Sequence, residues 1–362
     1  MENLDNIEQA LFETKINALE PDKNSKIILF GGGLNGRMSL DYLTEIGLDV
    51  HAFCDNNTAL HGSVIAGIPC ISPDDLQNLS DAIVFITAKH VAIQIKKQLS
   101  DMGIQSFVFD HFVLSRNLNH IRDIYSYMYD ELSRKTYLIL LEAAIKGDAC
   151  GLKNVWEPDE YFSMAEFSTF NRDEVFVDCG AFVGDTLEKY LLHYNGIFKK
   201  YYAFEPGRRQ FEALKHRVKR LEKEWALDSG SIVCEPAGVG EKETFGHIDS
   251  TSYALTDTRL ISDKEKTRDS INIYSIDQYF KDGKDEIVSF IKSDIEGYEM
   301  RMLRGAQHTI MKNKPKLAVA IYHKPQDHFE IPQYIKSLVP EYKMAIRQHA
   351  VSLMNTVLYC WI

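Results

Sequence analysis

Nowhere does the sequence approach the ~18 consecutive apolar residues that a membrane-spanning helix needs, so no membrane span is expected. It has no excess of positive charge either: 41 Lys and Arg against 52 Asp and Glu leave a formal net charge of -11. That balance argues against a broad phosphate-backbone footprint, and nucleic acid is not an expected partner. Six cysteines (Cys54, Cys70, Cys150, Cys179, Cys234 and Cys360) contain no C-x-x-C pair. Scattered thiols of this kind suit a reducing compartment better than zinc or disulfides, which predicts a cytoplasmic protein. The opening residues, MENLDNIEQALFETKINALEP, lack an apolar signal-peptide core; Leu4, Ile7, Leu11, Ile16 and Leu19 instead recur at roughly helical spacing. An amphipathic helix over residues 1–22 is expected there.

What is present is a chain of 362 residues, 45% of them hydrophobic, enough for two domains with a core each. After a turn at Pro21 to Ser25, KIILF at Lys26 to Phe30 reads as a buried strand running into Gly31, Gly33 and Gly36, a G-x-G-x-x-G match. A helix follows through Tyr42, then a strand from Val50 to Cys54 ending at Asp55. An acid about 20 residues beyond the glycines is where a ribose ligand belongs. Strands are also expected at Ala82 to Thr87 and Ser106 to Asp110, around a helix from Val91 to Leu99. The result is a small Rossmann-like unit over residues 23–115, with Gly31, Gly33, Gly36 and Asp55 as a second nucleotide site. The alternative is that the glycines serve only tight strand-to-helix packing and the unit is a docking or dimerisation module. A hydride-transfer enzyme is not expected, because no Tyr-x-x-x-Lys follows the loop.

The pieces FCDNN at Phe53 to Asn57 and GIPCISPDDL at Gly67 to Leu76 resemble the small Rossmann-like domains that precede bacterial sugar- and polysaccharide-modifying enzymes. The resemblance implies a nucleotide or nucleotide-sugar ligand. From residue 116 to 165 helical periodicity takes over (Ile121, Ile124, Met128, then Tyr137, Leu138, Leu141, Ile145) and ends near Gly147, forming a linker. Tyr161, Phe162 and Phe167 then form an aromatic segment suited to covering an active-site mouth or to interdomain packing.

The stretch EVFVDCGAFVGDT, Glu174 to Thr186, is a strand, a glycine turn and a helix start. A D-x-G-x-x-x-G spacing differs from the dinucleotide fingerprint and suggests a nucleoside loop. Strands should follow at Tyr201 to Phe204, ending in Glu205; at Ser231 to Cys234, leading to Ala237-Gly238-Val239; at Ile287 to Lys292; and at Leu317 to Tyr322. The runs Met344 to Arg347 and Thr356 to Trp361 are close enough in sequence for an antiparallel pair. Five strands with intervening helices and that terminal pair match the topology of class I S-adenosylmethionine-dependent methyltransferases. The fold class expected is therefore α/β, two Rossmann-like doubly wound sheets, the second over residues 166–362.

Five ordered motifs, VDCGAFVGDT (Val177 to Thr186), FEPG (Phe204 to Gly207), SIDQYF (Ser275 to Phe280), FIKSDIEGYEMRMLRGA (Phe290 to Ala306) and YHKP (Tyr322 to Pro325), resemble the FkbM-type methyltransferase family. The pattern K-x-D-x-E-G-x-E is kept as Lys292, Asp294, Glu296, Gly297 and Glu299. The resemblance implies S-adenosylmethionine as cofactor, with Asp178, Gly180, Ala181, Phe182, Gly184, Asp185, Thr186, Glu205, Ala237 and Asp294 around it. Glu205, about 20 residues past the loop, should grip the ribose diol.

Because a sulfonium methyl is already activated, the protein has to align an acceptor and, for a hydroxyl, supply a base. Asp294, Glu296 and His323 end central strands and are the candidates, His323 or Asp294 preferred, since an imidazole titrates near working pH and a carboxylate near ~4. Structural roles compete: Asp294 as a helix cap, and Lys292 paired with Glu296. Asp294 and Glu296 invite a divalent metal, but no third ligand announces itself, so metal stays open. The expected function is O-methylation of a sugar or glycan precursor, nucleotide-linked or not, with an N-methyltransferase or a non-catalytic binding scaffold as alternatives and a homo-oligomer allowed.

Overall fold

The computed structural model describes residues 21–79, 81–249, 259–262, 270–281 and 286–362. The helix expected over residues 1–22 lies outside them except for its last two positions. The first sheet holds β1 (Lys26–Phe30), β2 (Val50–Cys54), β3 (Val64–Ile65), β4 (Ile68–Ile71), β5 (Ala82–Ile86) and β6 (Ser106–Val108), in the order β3-β4-β2-β1-β5-β6. Every pairing is parallel except the β3–β4 hairpin. Apolar, β-branched runs such as Ile27, Ile28 and Leu29 are wholly buried because both faces of a parallel sheet are covered.

Two features depart from the sequence reading. The strand expected at Ser106 to Asp110 stops at Val108, and Phe109–Ser115 is helical. Phe109 and Phe112, one helical turn apart, both pack on Phe85, and Asp110 pairs with Lys89 at 3.0 Å. The GIPCI stretch forms a hairpin that the reading missed. Its turn residues Ala66 and Gly67 both have positive φ (49° and 82°), the geometry of a tight two-residue connection.

The helix Glu131–Lys146 opens with the Asp130 side chain accepting from the Ser133 N–H at 2.7 Å and closes at Gly147 in the left-handed conformation. The second sheet holds β7 (Val175–Cys179), β8 (Lys200–Phe204), β9 (Ile232–Glu235), β14 (Phe290–Ser293), β15 (Lys316–Ala320), β16 (Lys343–Gln348) and β17 (Thr356–Trp361), ordered β16-β17-β15-β14-β7-β8-β9. β17 is antiparallel to both of its neighbours. Arg347 of β16 reaches back to Asp130 at 2.6 Å and to Ser133 Oγ at 2.7 Å, tying the linker helix to this edge.

A further sheet was not foreseen: β10 (Ala237–Val239), β11 (Thr244–Asp249), β12 (Arg259–Ser262) and β13 (Ile271–Tyr274), ordered β10-β13-β11-β12. Pro236, which has no N–H to give a ladder, separates β9 from β10 and lets the chain leave the main sheet. One apolar cluster runs from Phe53 and Phe85 through Ile121 and Tyr137 to Val177 and Ile291, so both sheets and the linker share a core. No helix among the described residues is long and apolar enough to cross a membrane.

Candidate active site

From β7 the chain crosses to β8 on one side, and β14 enters on the other, so a crevice opens at the carboxyl ends of β7 and β14. A cavity of about 290 Å³ occupies it. Phe182, Glu205, Ala237 and Gly238 line the β8 side, Gly180 the centre, and Tyr161, Asp294, Glu296 and Tyr322 the β14–β15 side.

The loop after β7 is shaped by its contacts. Gly180 has φ 80°, and a Cβ there would lie 2.0 Å from the Asp294 carbonyl oxygen. Only a glycine lets the β7 and β14 loops approach so closely. Phe182 N–H donates to Glu205 Oε2 at 2.9 Å and Gly207 N–H to Oε1 at 2.6 Å, which orients the carboxylate and leaves lone pairs on both oxygens. Burial pushes Glu205 up to about 7 against the pull of those N–H groups. The following helix, Asp185–Tyr194, buries Leu187, Tyr190, Leu191 and Tyr194 at helical spacing and presents Asp185 and Thr186 to the cavity.

Three residues of the expected cofactor set stand elsewhere. Ala181 is buried in the apolar cluster behind the loop, and Gly184 is the left-handed residue that starts the helix. Asp178 is fully buried: its Oδ1 lies 2.9 Å from Lys292 Nζ, and its Oδ2 accepts from Tyr201 Oη at 2.6 Å. Lys292 Nζ also donates to the Gly180 carbonyl at 2.7 Å. Burial alone would lower Lys292, but the carboxylates of Asp178 and Asp294 raise it well above its ordinary value. Asp178 therefore acts on the loop through an ammonium. The expected pairing of Lys292 with Glu296 is not found.

At the tip of β14, Asp294 accepts from Tyr161 Oη at 2.8 Å and Tyr322 Oη at 3.1 Å. It does not cap the next helix, Glu299–Gly305, which has no side-chain cap; the Ile295 N–H beside it donates to Glu299 at 2.8 Å. Glu296 (φ 55°) and Gly297 (φ 88°) form a left-handed turn that carries the Glu296 side chain onto the cavity wall.

His323 is a correction. Its side chain is 4% exposed and stands behind the wall, with Nδ1 3.1 Å from Glu299 and Nε2 3.4 Å from both Asp294 and Glu296. Burial would lower its pKa, but Glu299, Glu296 and Asp294 together push it up to about 10. An imidazolium held by three carboxylates is their counter-charge and has no lone pair to act as a base. Asp294, Glu299 and His323 are near enough to one another to hold an ion, but the imidazole already neutralises that space. Tyr322, inside the YHKP motif, was not weighed as a site residue; its position next to His323 at the end of the same strand was the available signal.

In the N-terminal unit, Gly32 N–H and Asn57 N–H donate to Asp55 at 2.8 Å each. A Cβ on Gly36 would lie 2.0 Å from the Gly31 carbonyl oxygen, and one on Gly31 2.8 Å from Thr87 Oγ1, whereas Gly33 faces open space. Packing thus accounts for two of the three fingerprint glycines, and the loop's own backbone engages Asp55.

The strand order and the reversed strand β17 are those of the class I methyltransferase fold. Residues 178–342 match the family described as methyltransferase FkbM domain, and residues 23–107 match the C2185-like N-terminal family. Methyltransferase FkbM from Methylobacillus flagellatus KT superposes with a TM-score of 0.60 at 22% identity, over 99% of this chain and 98% of that one. An rRNA methylase from Streptococcus thermophilus gives 0.32 at 14% identity (53% and 87% covered), and a Streptococcus mutans protein solved with SAH gives 0.31 at 10% (58% and 93%). No curated protein matches the chain. Over residues 178–342 the chain thus resembles the FkbM methyltransferase domain, and the protein is a methyltransferase that uses S-adenosylmethionine.

Proposed function

We propose that the enzyme methylates a hydroxyl oxygen of a sugar or glycan precursor, in the cytoplasm, where its free cysteines stay reduced. The observation that carries this reading is Asp294, a carboxylate on the cavity wall whose orientation is set by the hydroxyls of Tyr161 and Tyr322. A carboxylate held in this way is aimed to accept one further proton-bearing group. Glu296, on the same turn, offers an acceptor to a neighbouring hydroxyl, as a polyol would present. Met38, in the helix after the first glycine loop, packs against Gly297, so the N-terminal unit flanks the acceptor side.

The residues on the β8 side fit the donor: Glu205 has lone pairs to spare for a ribose diol, and Ala237 and Gly238 are small enough to admit an adenine. S-adenosylmethionine supplies a methyl group already activated by its sulfonium. Glu205 and the glycine loop hold the nucleoside end, while Asp294 and Glu296 position the acceptor in line with the methyl carbon. With a donor bound, Asp294 would take the proton of the acceptor hydroxyl as that oxygen receives the methyl group.

A second reading, N-methylation, draws on the same acids, which would attract an ammonium; the amine must then lose its proton before it can attack. Incubation with labelled donor and matched pairs of hydroxy- and amino-sugars, free and nucleotide-linked, separates the two. Label recovered as a methyl ether supports the proposal. Label found only on nitrogen overturns it.

A further inference from the structure

The turn ahead of β7 is strained. Asp159 and Tyr161 both have positive φ, 60° and 72°, a conformation non-glycine residues hold only where the surroundings impose it. The surroundings do impose it. Phe162 N–H donates to the Asp159 carbonyl at 2.8 Å, Tyr161 N–H donates to Tyr359 Oη at 2.9 Å, and Phe162 is buried against Tyr190 and Phe290. Between the two left-handed residues, Glu160 is turned onto the cavity wall. Its Oε1 is shut away from solvent and has no hydrogen-bond partner among the described residues, whereas Glu205 and Asp294 in the same wall each have two donors. An acceptor buried without a donor is costly, and a bound ligand can supply the donor.

We propose that Glu160 receives the α-ammonium of the methyl donor's amino-acid end. The cavity also presents Asp185 and Thr186, the first helical residues after the glycine loop. A donor with its ribose at Glu205 and its sulfur over Gly180 extends its amino acid toward them. The charged groups that act on Glu160 are Asp294, Lys189, Lys292 and Asp185, and Lys292 is already engaged by Asp178. Burial and the Asp294 charge push Glu160 up to about 7. An arriving ammonium therefore draws a proton off it. The assignment rests on the donor and is independent of the acceptor.

Calorimetry on the full chain tests it with two probes: S-adenosylhomocysteine, and 5′-methylthioadenosine, which keeps the nucleoside and sulfur but lacks the amino acid. Glu160→Gln should weaken S-adenosylhomocysteine roughly 10- to 100-fold and leave 5′-methylthioadenosine within about twofold. In the wild type, the affinity for S-adenosylhomocysteine relative to 5′-methylthioadenosine should fall about tenfold from pH 8 to pH 6, because binding requires the ionised carboxylate. Any titration of Glu205 is common to both probes and cancels in that ratio, which needs no variant. Unchanged S-adenosylhomocysteine affinity in Glu160→Gln, or equal weakening of both probes, would overturn the assignment. A wild type that binds 5′-methylthioadenosine and rejects S-adenosylhomocysteine would also sink it, whereas failure to bind either probe would count against the donor site as a whole.

Discussion

Lys292→Met tests how the donor loop is held. The ammonium is 3% exposed and Asp178 0%, so the substitution strands a carboxylate in a dry interior with the Tyr201 hydroxyl still on it. Removing one partner of a buried pair costs roughly 3–5 kcal/mol. A cooperative unit of about 200 residues shifts its melting temperature by roughly 2–4 °C per kcal/mol, so a drop of roughly 6–20 °C is expected. The penalty should depend on pH. Without the ammonium, Asp178 has a folded-state pKa above its unfolded value of ~4, so the loss is small near pH 4 and grows by about 1.4 kcal/mol per unit until the folded pKa is passed. Urea unfolding of wild type and variant at pH 5 and pH 8 measures this directly. S-adenosylhomocysteine affinity should fall as well, because the Gly180 carbonyl loses its donor. The double variant Asp178→Leu with Lys292→Met should recover much of the stability, since an apolar pair leaves no charge behind. A Lys292→Met protein within about 1 kcal/mol of wild type at pH 8, with no dependence on pH, would refute the reasoning.

His323 has a folded-state pKa of about 10, above the ordinary imidazole value of 6.5. Its contribution is therefore complete below pH 6.5 and lost as pH rises through 10; wild type should weaken over that window in chemical unfolding, and His323→Gln should lack the slope. Tyr161→Phe removes one hydroxyl from Asp294 and should lower turnover roughly tenfold with little change in S-adenosylhomocysteine affinity, read by single-turnover methyl transfer beside calorimetry. Gly180→Ala places a methyl 2.0 Å from the Asp294 carbonyl oxygen and should abolish S-adenosylhomocysteine binding. Gly36→Ala makes the same kind of clash with Gly31; it should lower the melting temperature while the folded protein keeps its donor affinity.

Much of the main architecture was legible because it rests on short-range pattern. Apolar runs such as VFV and KIILF, punctuated by glycine, mark parallel strands wherever they occur, and the antiparallel pair β16–β17 follows from its short connection. What pattern missed was set by contacts distant in sequence. The helix Phe109–Ser115 overrode a strand-like string because its phenylalanines found Phe85. The sheet β10 to β13 depends on Pro236 breaking a ladder. In the site, Asp294 and Glu205 were expected from their places at strand ends, a signal that Tyr322 shares, whereas no local spacing ties Glu160 to the cavity.

The two glycine loops divide the matter most clearly. By itself the sequence determined that each loop follows a buried strand, opens a helix and precedes an acid about one strand further on, since these are properties of neighbouring residues. Its five motifs in order also carried the likeness to the FkbM family, which the match over residues 178–342 repeats. Only the tertiary structure decided what the charged groups do. Asp178 and Lys292 neutralise each other, His323 spends its charge on three carboxylates, and Glu160 stands in the cavity with an oxygen to offer. A side chain's charge state depends on what the fold buries beside it, and residues 133 positions apart are brought within hydrogen-bonding reach, as Tyr161 and Asp294 are at 2.8 Å.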